Sequence, residues 1–199
     1  MFKRLLLKAV SYPPLWDLSR SVIEAGHRRE REVIERELGD GSGLLLDLPC
    51  GTGIYAPLFS GGDYVGADLD ERLLHHARRK FPGHRFLRSD ALQSGFRSGV
   101  FARILVVGFL HHLPDGQVDG CLDELHRVLA PGGSLLLIED APTASRFNLL
   151  GKALQSLDAG DVIRPASWYE PRLGRRFEIV RRDAIRAGLW DYSVFVLRK

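Results

Sequence analysis

The chain has 199 residues, 45% of them apolar and 27% charged, which is enough to bury one hydrophobic core as a single domain. Its two cysteines, Cys50 and Cys121, are far apart and form no CxxC, so a disulfide or zinc framework is not indicated and a reducing cytoplasm is the expected setting. No run reaches the ~20 apolar residues of a bilayer span, and the net charge of +3 combines basic ends (residues 1–36 at +3, 164–199 at +5) with an acidic middle at −5.

Met1 to Val10 has a faint leader-like pattern, but its apolar run is short, is interrupted by Lys8 and is followed by Pro13-Pro14. Residues 14–38 read as a long helix, with Pro14 in its first turn and Leu15, Leu18, Val22, Ile23, Val33, Ile34 and Leu38 near one face. The cluster Gly39-Asp40-Gly41-Ser42-Gly43 stops it. A first strand is expected over 43–48, a helix over 54–60, a second strand over 63–67 and a helix over 71–81 capped by Asp70. Strands three and four follow over 84–88 and 101–107, a helix over 116–129, and strand five from Ser134 to Ile138. A helix is expected over 143–158. Two tail strands, Phe177–Val180 and Trp190–Leu197, are about nine residues apart, too close for a parallel crossover, so they read as antiparallel. Strand–helix alternation with short turns means a parallel sheet covered on both faces.

The segment Leu44-Leu45-Leu46-Asp47-Leu48-Pro49-Cys50-Gly51-Thr52-Gly53 holds the most chemical information. A buried strand ends in a carboxylate and then in a glycine turn. The turn has no lysine, which argues against a nucleoside triphosphate, and an acid before the glycines suits a ligand carrying an ammonium group. Asp47, Asp68 and Asp90 each follow a successive predicted strand, at the carboxyl edge where open α/β sheets bind ligands. Each has a plain structural alternative: a simple strand–helix turn for the glycines, a helix cap for Asp68, an Asx turn for Asp90.

With this acid-glycine turn, with Leu110-His111-His112 after strand four and with Leu125-His126-Arg127-Val128-Leu129-Ala130-Pro131-Gly132-Gly133, the sequence resembles the class I S-adenosylmethionine-dependent methyltransferases, in particular the ubiquinone/menaquinone-biosynthesis-like (type 11) group. The resemblance covers roughly residues 40–199. It implies a Rossmann-like, doubly wound, mostly parallel seven-stranded α/β sheet with an antiparallel C-terminal hairpin, in the order 3-2-1-4-5-7-6. Residues 1–38 then form an N-terminal helical cap on a single methyltransferase domain. S-adenosylmethionine is the implied cofactor. Its contacts would come from Asp47, Pro49, Cys50, Gly51 and Gly53, from Asp68 and Leu69 at the ribose and base, from Asp90 and Ala91 at the adenine, and from Val107 and Gly108. One departure is Pro49, which occupies the slot of the family's first motif glycine and lacks an N–H.

His111 and His112 are candidates for a general base, although methyl transfer from a sulfonium is an in-line displacement that orientation and a dry pocket can drive without one. The acceptor is expected to be a small or lipid-like molecule, with Tyr12, Trp16, Phe109, Trp168 and Tyr169 as candidate contacts. No metal site is expected: Ile138-Glu139-Asp140-Ala141 lacks the Asp-Asn pair of the catechol-type enzymes. The Asn/Asp-Pro-Pro-Tyr/Phe motif of amino-group DNA methylation is absent after strand four. No nucleic acid partner is expected. The basic ends nevertheless keep a nucleic-acid or protein methyltransferase as one alternative, and they leave peripheral contact with an anionic membrane open. A non-catalytic cofactor-binding subunit of the same fold and a nicotinamide oxidoreductase are the others. The oligomeric state has no signature in the sequence.

Overall fold

The structure is a computed structural model, which describes residues 25–143, 148 and 162–199. Seven strands form one sheet in the order β3-β2-β1-β4-β5-β7-β6. They are β1 Leu45–Asp47, β2 Tyr64–Asp68, β3 Arg85–Arg88, β4 Phe101–Val107, β5 Leu129–Asp140, β6 Glu178–Ala187 and β7 Trp190–Arg198. The first five are parallel, while β7 runs antiparallel between β5 and β6. The described helices are α1 Arg28–Ile34, α2 Glu71–Lys80, α3 Asp115–Val128 and α4 Ala166–Leu173.

Apolar residues alternate between two cores because both faces of the sheet are covered. Leu46, Val65, Ile104, Val106, Leu135 and Leu137 face α3 and α4, against Val118, Leu122, Leu125, Tyr169 and Leu173. Leu45, Tyr64, Leu105, Leu136 and Ile138 face α1 and α2, against Ile34, Leu38, Leu74, Ala77 and Trp190. Cys50 and Cys121 are both free thiols, one in each core.

Four sequence expectations change. The helix expected over 14–38 is broken within its described part, where Gly26 and His27 take left-handed φ of 76° and 56°, and α1 starts afresh at Arg28. It runs on through a wider turn over Glu35–Gly39. The helix expected over 54–60 is one 3₁₀ turn, Ala56–Leu58, because Phe59 turns to extended backbone and stacks on Tyr64 at 5.9 Å. Strand five begins at Leu129, with Ala130 to Gly133 looped out before Arg103 pairs with Ser134. The first tail strand is far longer than expected, while the second ends only one residue later, at Arg198. They meet at a two-residue turn, Gly188-Leu189, with Gly188 at φ 57° and Ala187 paired to Trp190. The helix expected over 143–158 lies outside the described residues apart from Thr143 and Asn148. Tyr12 and Trp16 lie outside them too.

The tail arginines are paired partly with acids from the middle of the chain and partly with acids of the tail itself. Arg164 pairs with Asp115 at 2.6 Å, and Arg176 with Asp119 at 2.9 Å and Asp123 at 2.5 Å. Arg181 pairs with Glu37 and with Asp183 at 2.9 Å, Arg182 with Glu170, and Arg186 with Asp191 at 2.6 Å.

Candidate functional site

The parallel strands point their carboxyl ends at one edge, and most of the sequence-derived candidates gather there. After β1 the chain turns through Leu48 and Pro49, joined by a cis peptide, into Cys50-Gly51-Thr52-Gly53. Two bonds stitch this turn to the end of β2. Cys50 donates its N–H to the Ala67 carbonyl at 2.8 Å, and Gly51 donates to the Asp68 carboxylate at 2.9 Å.

The two glycines serve different ends. A side chain at Gly51 would meet no atom within 4 Å, so the backbone there is open to a ligand. At Gly53 a Cβ would sit 2.8 Å from the Phe86 ring, so this glycine, at φ 73°, is needed for packing beneath the turn. The Cys50 side chain is likewise buried, which pushes its thiol pKa well up and leaves only its backbone near the edge.

Asp68 is 8% exposed, and its second oxygen accepts the Asp70 N–H at 2.9 Å. Burial raises its pKa, against the lowering effect of those N–H groups. Asp70 takes the capping role, accepting from the Arg72 N–H at 2.9 Å, so Asp68 is not needed as the helix cap. Leu69 projects beside it with 56% of its surface exposed. Asp90 is exposed and accepts the Leu92 N–H at 2.8 Å, forming the Asx turn, while Ala91 is buried next to it. Across the edge, Val107, Gly108 and Phe109 are half-buried after β4.

Asp47 is different from the other two acids. It is 1% exposed, and the Tyr64 hydroxyl donates to it at 2.6 Å. Burial pushes its pKa up to about 7, with the Tyr64 hydrogen bond opposing and the neighbouring Asp68 charge adding to the rise. Its carboxyl group is thus engaged in an internal hydrogen bond.

The two histidines after β4 stand in different settings. His111 is 2% exposed, with Nδ1 at 3.2 Å from Glu139 Oε2 and Nε2 at 3.8 Å from Asp140 Oδ2. Glu139 also accepts the N–H groups of Phe109 and Leu110 at 2.9 and 2.7 Å. The Trp190 indole donates to Asp140 at 2.7 Å. His111 is thus a strut between two buried acids at the end of β5, whereas His112 is exposed. Arg164 reinforces this turn by donating to the carbonyls of Leu110 and Leu113 at 2.9 and 2.7 Å.

Two acceptor candidates also move. Tyr169 is fully buried against Phe195, because it shares the inward stripe of α4 with Leu173. Trp168 is half-buried between two guanidinium groups, Arg164 at 4.4 Å and Arg172 at 3.6 Å from its ring centre. Sequence reasoning missed Glu139 as the hub of the β4 turn. Its position beside Ile138 at the end of a strand was the available signal.

The seven-stranded sheet, with its antiparallel C-terminal strands, is the Rossmann-like fold found among class I methyltransferases. Residues 45–133 match the family model described as a methyltransferase domain. The chain is 34% identical over 139 residues to a demethylmenaquinone methyltransferase of Thermus thermophilus, covering 65% of this chain and 62% of the relative. It is 35% identical over 95 residues to "Probable tRNA methyltransferase 9B" of Homo sapiens, covering 47% of this chain and 20% of that one. The chain thus spans less than two thirds of the length of the curated relatives it matches. Among solved structures, the magnesium protoporphyrin IX methyltransferase of Synechocystis PCC 6803 with bound SAH superposes with a TM-score of 0.70 at 21% identity. That match covers 89% of this chain and 85% of the other.

Proposed function

We propose that the protein transfers a methyl group from S-adenosylmethionine to a small, quinone-like or lipid-like acceptor. The observation that carries this is the Asp68 carboxylate, pinned at the sheet edge by Gly51 and Asp70, with open backbone at Gly51 on one side and bare Leu69 on the other. A carboxylate so held suits a ribose diol, and an exposed leucine suits the face of a base. Asp90 and Ala91 would meet the adenine, while Pro49, Val107, Gly108 and Phe109 would wall the methyl end.

When bound, the cofactor supplies an electrophilic sulfonium methyl. Glu139 and His111 hold the β4 turn in one geometry, so that the turn shapes the pocket rather than moving a proton. Orientation and exclusion of water supply the rate effect. The demethylmenaquinone relatives support an acceptor of the quinone type.

The test is transfer of labelled methyl from the donor to a demethylmenaquinone analogue, with a transfer RNA and a protein lysate in parallel. Label in the quinone fraction is the expected result. Label only in RNA or protein would replace this acceptor class, and donor binding without turnover on any of them would favour a non-catalytic subunit.

A further inference from the structure

Glu30 lies on α1 one turn before Val33 and Ile34, on the stripe that faces the core, and is 0% exposed. Neither of its carboxylate oxygens accepts a hydrogen bond among the described residues. The His27 Nδ1 is 3.8 Å from one of them, beyond hydrogen-bond length. A carboxyl group sealed from water whose oxygens accept no hydrogen bond is costly, which points to a donor group that completes it.

Its neighbours fix where it sits. The C-terminal end of α1 is tied to the base of the sheet, where Arg103 donates to the Leu38 carbonyl at 2.5 Å. The N-terminal end therefore stands level with the carboxyl ends of the strands. There Arg31 donates to the Ile54 carbonyl at 2.6 Å and lies over the Tyr55 ring at 5.9 Å, and His27 meets the same ring edge-on at 6.2 Å. Ile54 and Tyr55 directly follow Gly53. Glu30 lies between His27 and Arg31 in the chain, beside the segment that follows the glycine turn, while Asp47 is engaged by Tyr64.

We propose that Glu30 receives the α-ammonium group of the methyl donor. The proposal rests on the methyltransferase reading above. The donor then lies with its ribose at Asp68 and its amino-acid head beneath α1. Arg31, one residue on, gives that zwitterionic head a cation as well as an acid.

The test is calorimetric titration of the full chain, parent and Glu30→Gln, with two probes: S-adenosylhomocysteine, and methylthioadenosine, which keeps the nucleoside but lacks the amino-acid head. Glu30→Gln should weaken S-adenosylhomocysteine about tenfold or more and leave methylthioadenosine within about twofold, as expected for losing one charge-assisted bond. Its melting temperature without ligand should not fall, because neither Glu30 oxygen accepts a hydrogen bond that the substitution would remove. If the glutamine variant does not fold, Glu30→Met offers the same test with no polar atom at the buried position. Unchanged S-adenosylhomocysteine affinity overturns the proposal. Equal weakening of both probes overturns it as well, and assigns Glu30 to holding the His27 turn. A parent chain that binds neither probe overturns the methyltransferase reading itself.

Discussion

Each oxygen of the Asp68 carboxylate accepts one backbone N–H, and each retains a lone pair for a ligand hydroxyl. Asp68→Ala should therefore weaken S-adenosylhomocysteine by roughly 1–3 kcal/mol while the protein stays folded, measured by calorimetry and circular dichroism. Unchanged affinity would remove the ribose assignment. Asp47 allows a prediction of opposite character. Its folded pKa is raised from 3.8 to about 7, so the neutral acid is the form the fold favours. The stability it contributes is complete below about pH 4 and is lost as pH rises to about 7. Asp47→Asn keeps an acceptor for Tyr64 but cannot ionise. Its stability relative to the parent should climb between those limits and level off above them, as read from urea midpoints across the range. A flat difference would mean that Asp47 is ionised in the fold.

At the scale of elements, Glu139 joins the end of β5 to the turn after β4. Glu139→Ala leaves two buried N–H groups and His111 without their acceptor and should cost roughly 3–5 kcal/mol in denaturant unfolding. Glu139→Gln keeps one oxygen for those N–H groups and should cost much less. Equal costs would mean that the backbone bonds are not what matters. Glu124 performs a similar task between α3 and the loop before β4, accepting from Arg127 at 2.8 Å and from the Ser94 N–H at 2.7 Å. These partners, Arg127 foremost, hold its pKa down to about 2 against a partial desolvation cost. The stability it adds is present above about pH 4.5 and lost as pH falls toward 2. The deficit of Glu124→Gln should shrink over that window and vanish at its acid end. A deficit that persists at pH 2 would show that the charge is not its source.

These elements also show what the sequence could reveal. β4 was legible to the residue, because Ile104 to Val107 is a branched apolar run buried on both faces. β6 was recognised only at its start. It is an edge strand whose middle, Arg181 to Asp183, is exposed or paired with surface acids, so no alternation marks it. Asp68 and Leu69 were legible because local order alone, a strand and then an acid, places them at the sheet edge. The roles of Glu139, His111 and Glu30 depend on contacts between segments distant in sequence, and no local pattern encodes them. Gly53 was read as a site for ligand approach, yet what demands glycine there is the Phe86 ring, thirty-three residues away.

For the whole molecule, the pairing of Arg164, Arg176 and Arg181 with Asp115, Asp119, Asp123 and Glu37 from the middle of the chain matters more for the external field than for stability, since exposed pairs contribute little. A tail at +5 in sequence presents much less than that charge to a polyanion. Any RNA affinity should accordingly be weak, with the logarithm of its binding constant falling by less than about 2 per decade of salt, measured by filter binding. A steep slope would restore the nucleic-acid alternative. The same arginines have a second effect, because β6 is one of the two open margins of the sheet. Its ladder is interrupted by a bulge at Val180 and crowded with guanidinium groups, and β3 at the other margin carries exposed Arg85 and Arg88. Such margins refuse an incoming strand. The chain is thereby protected against edge-to-edge polymerisation in a crowded solution, and replacing Arg181 and Arg182 by valine would turn that margin into a template for fibrils.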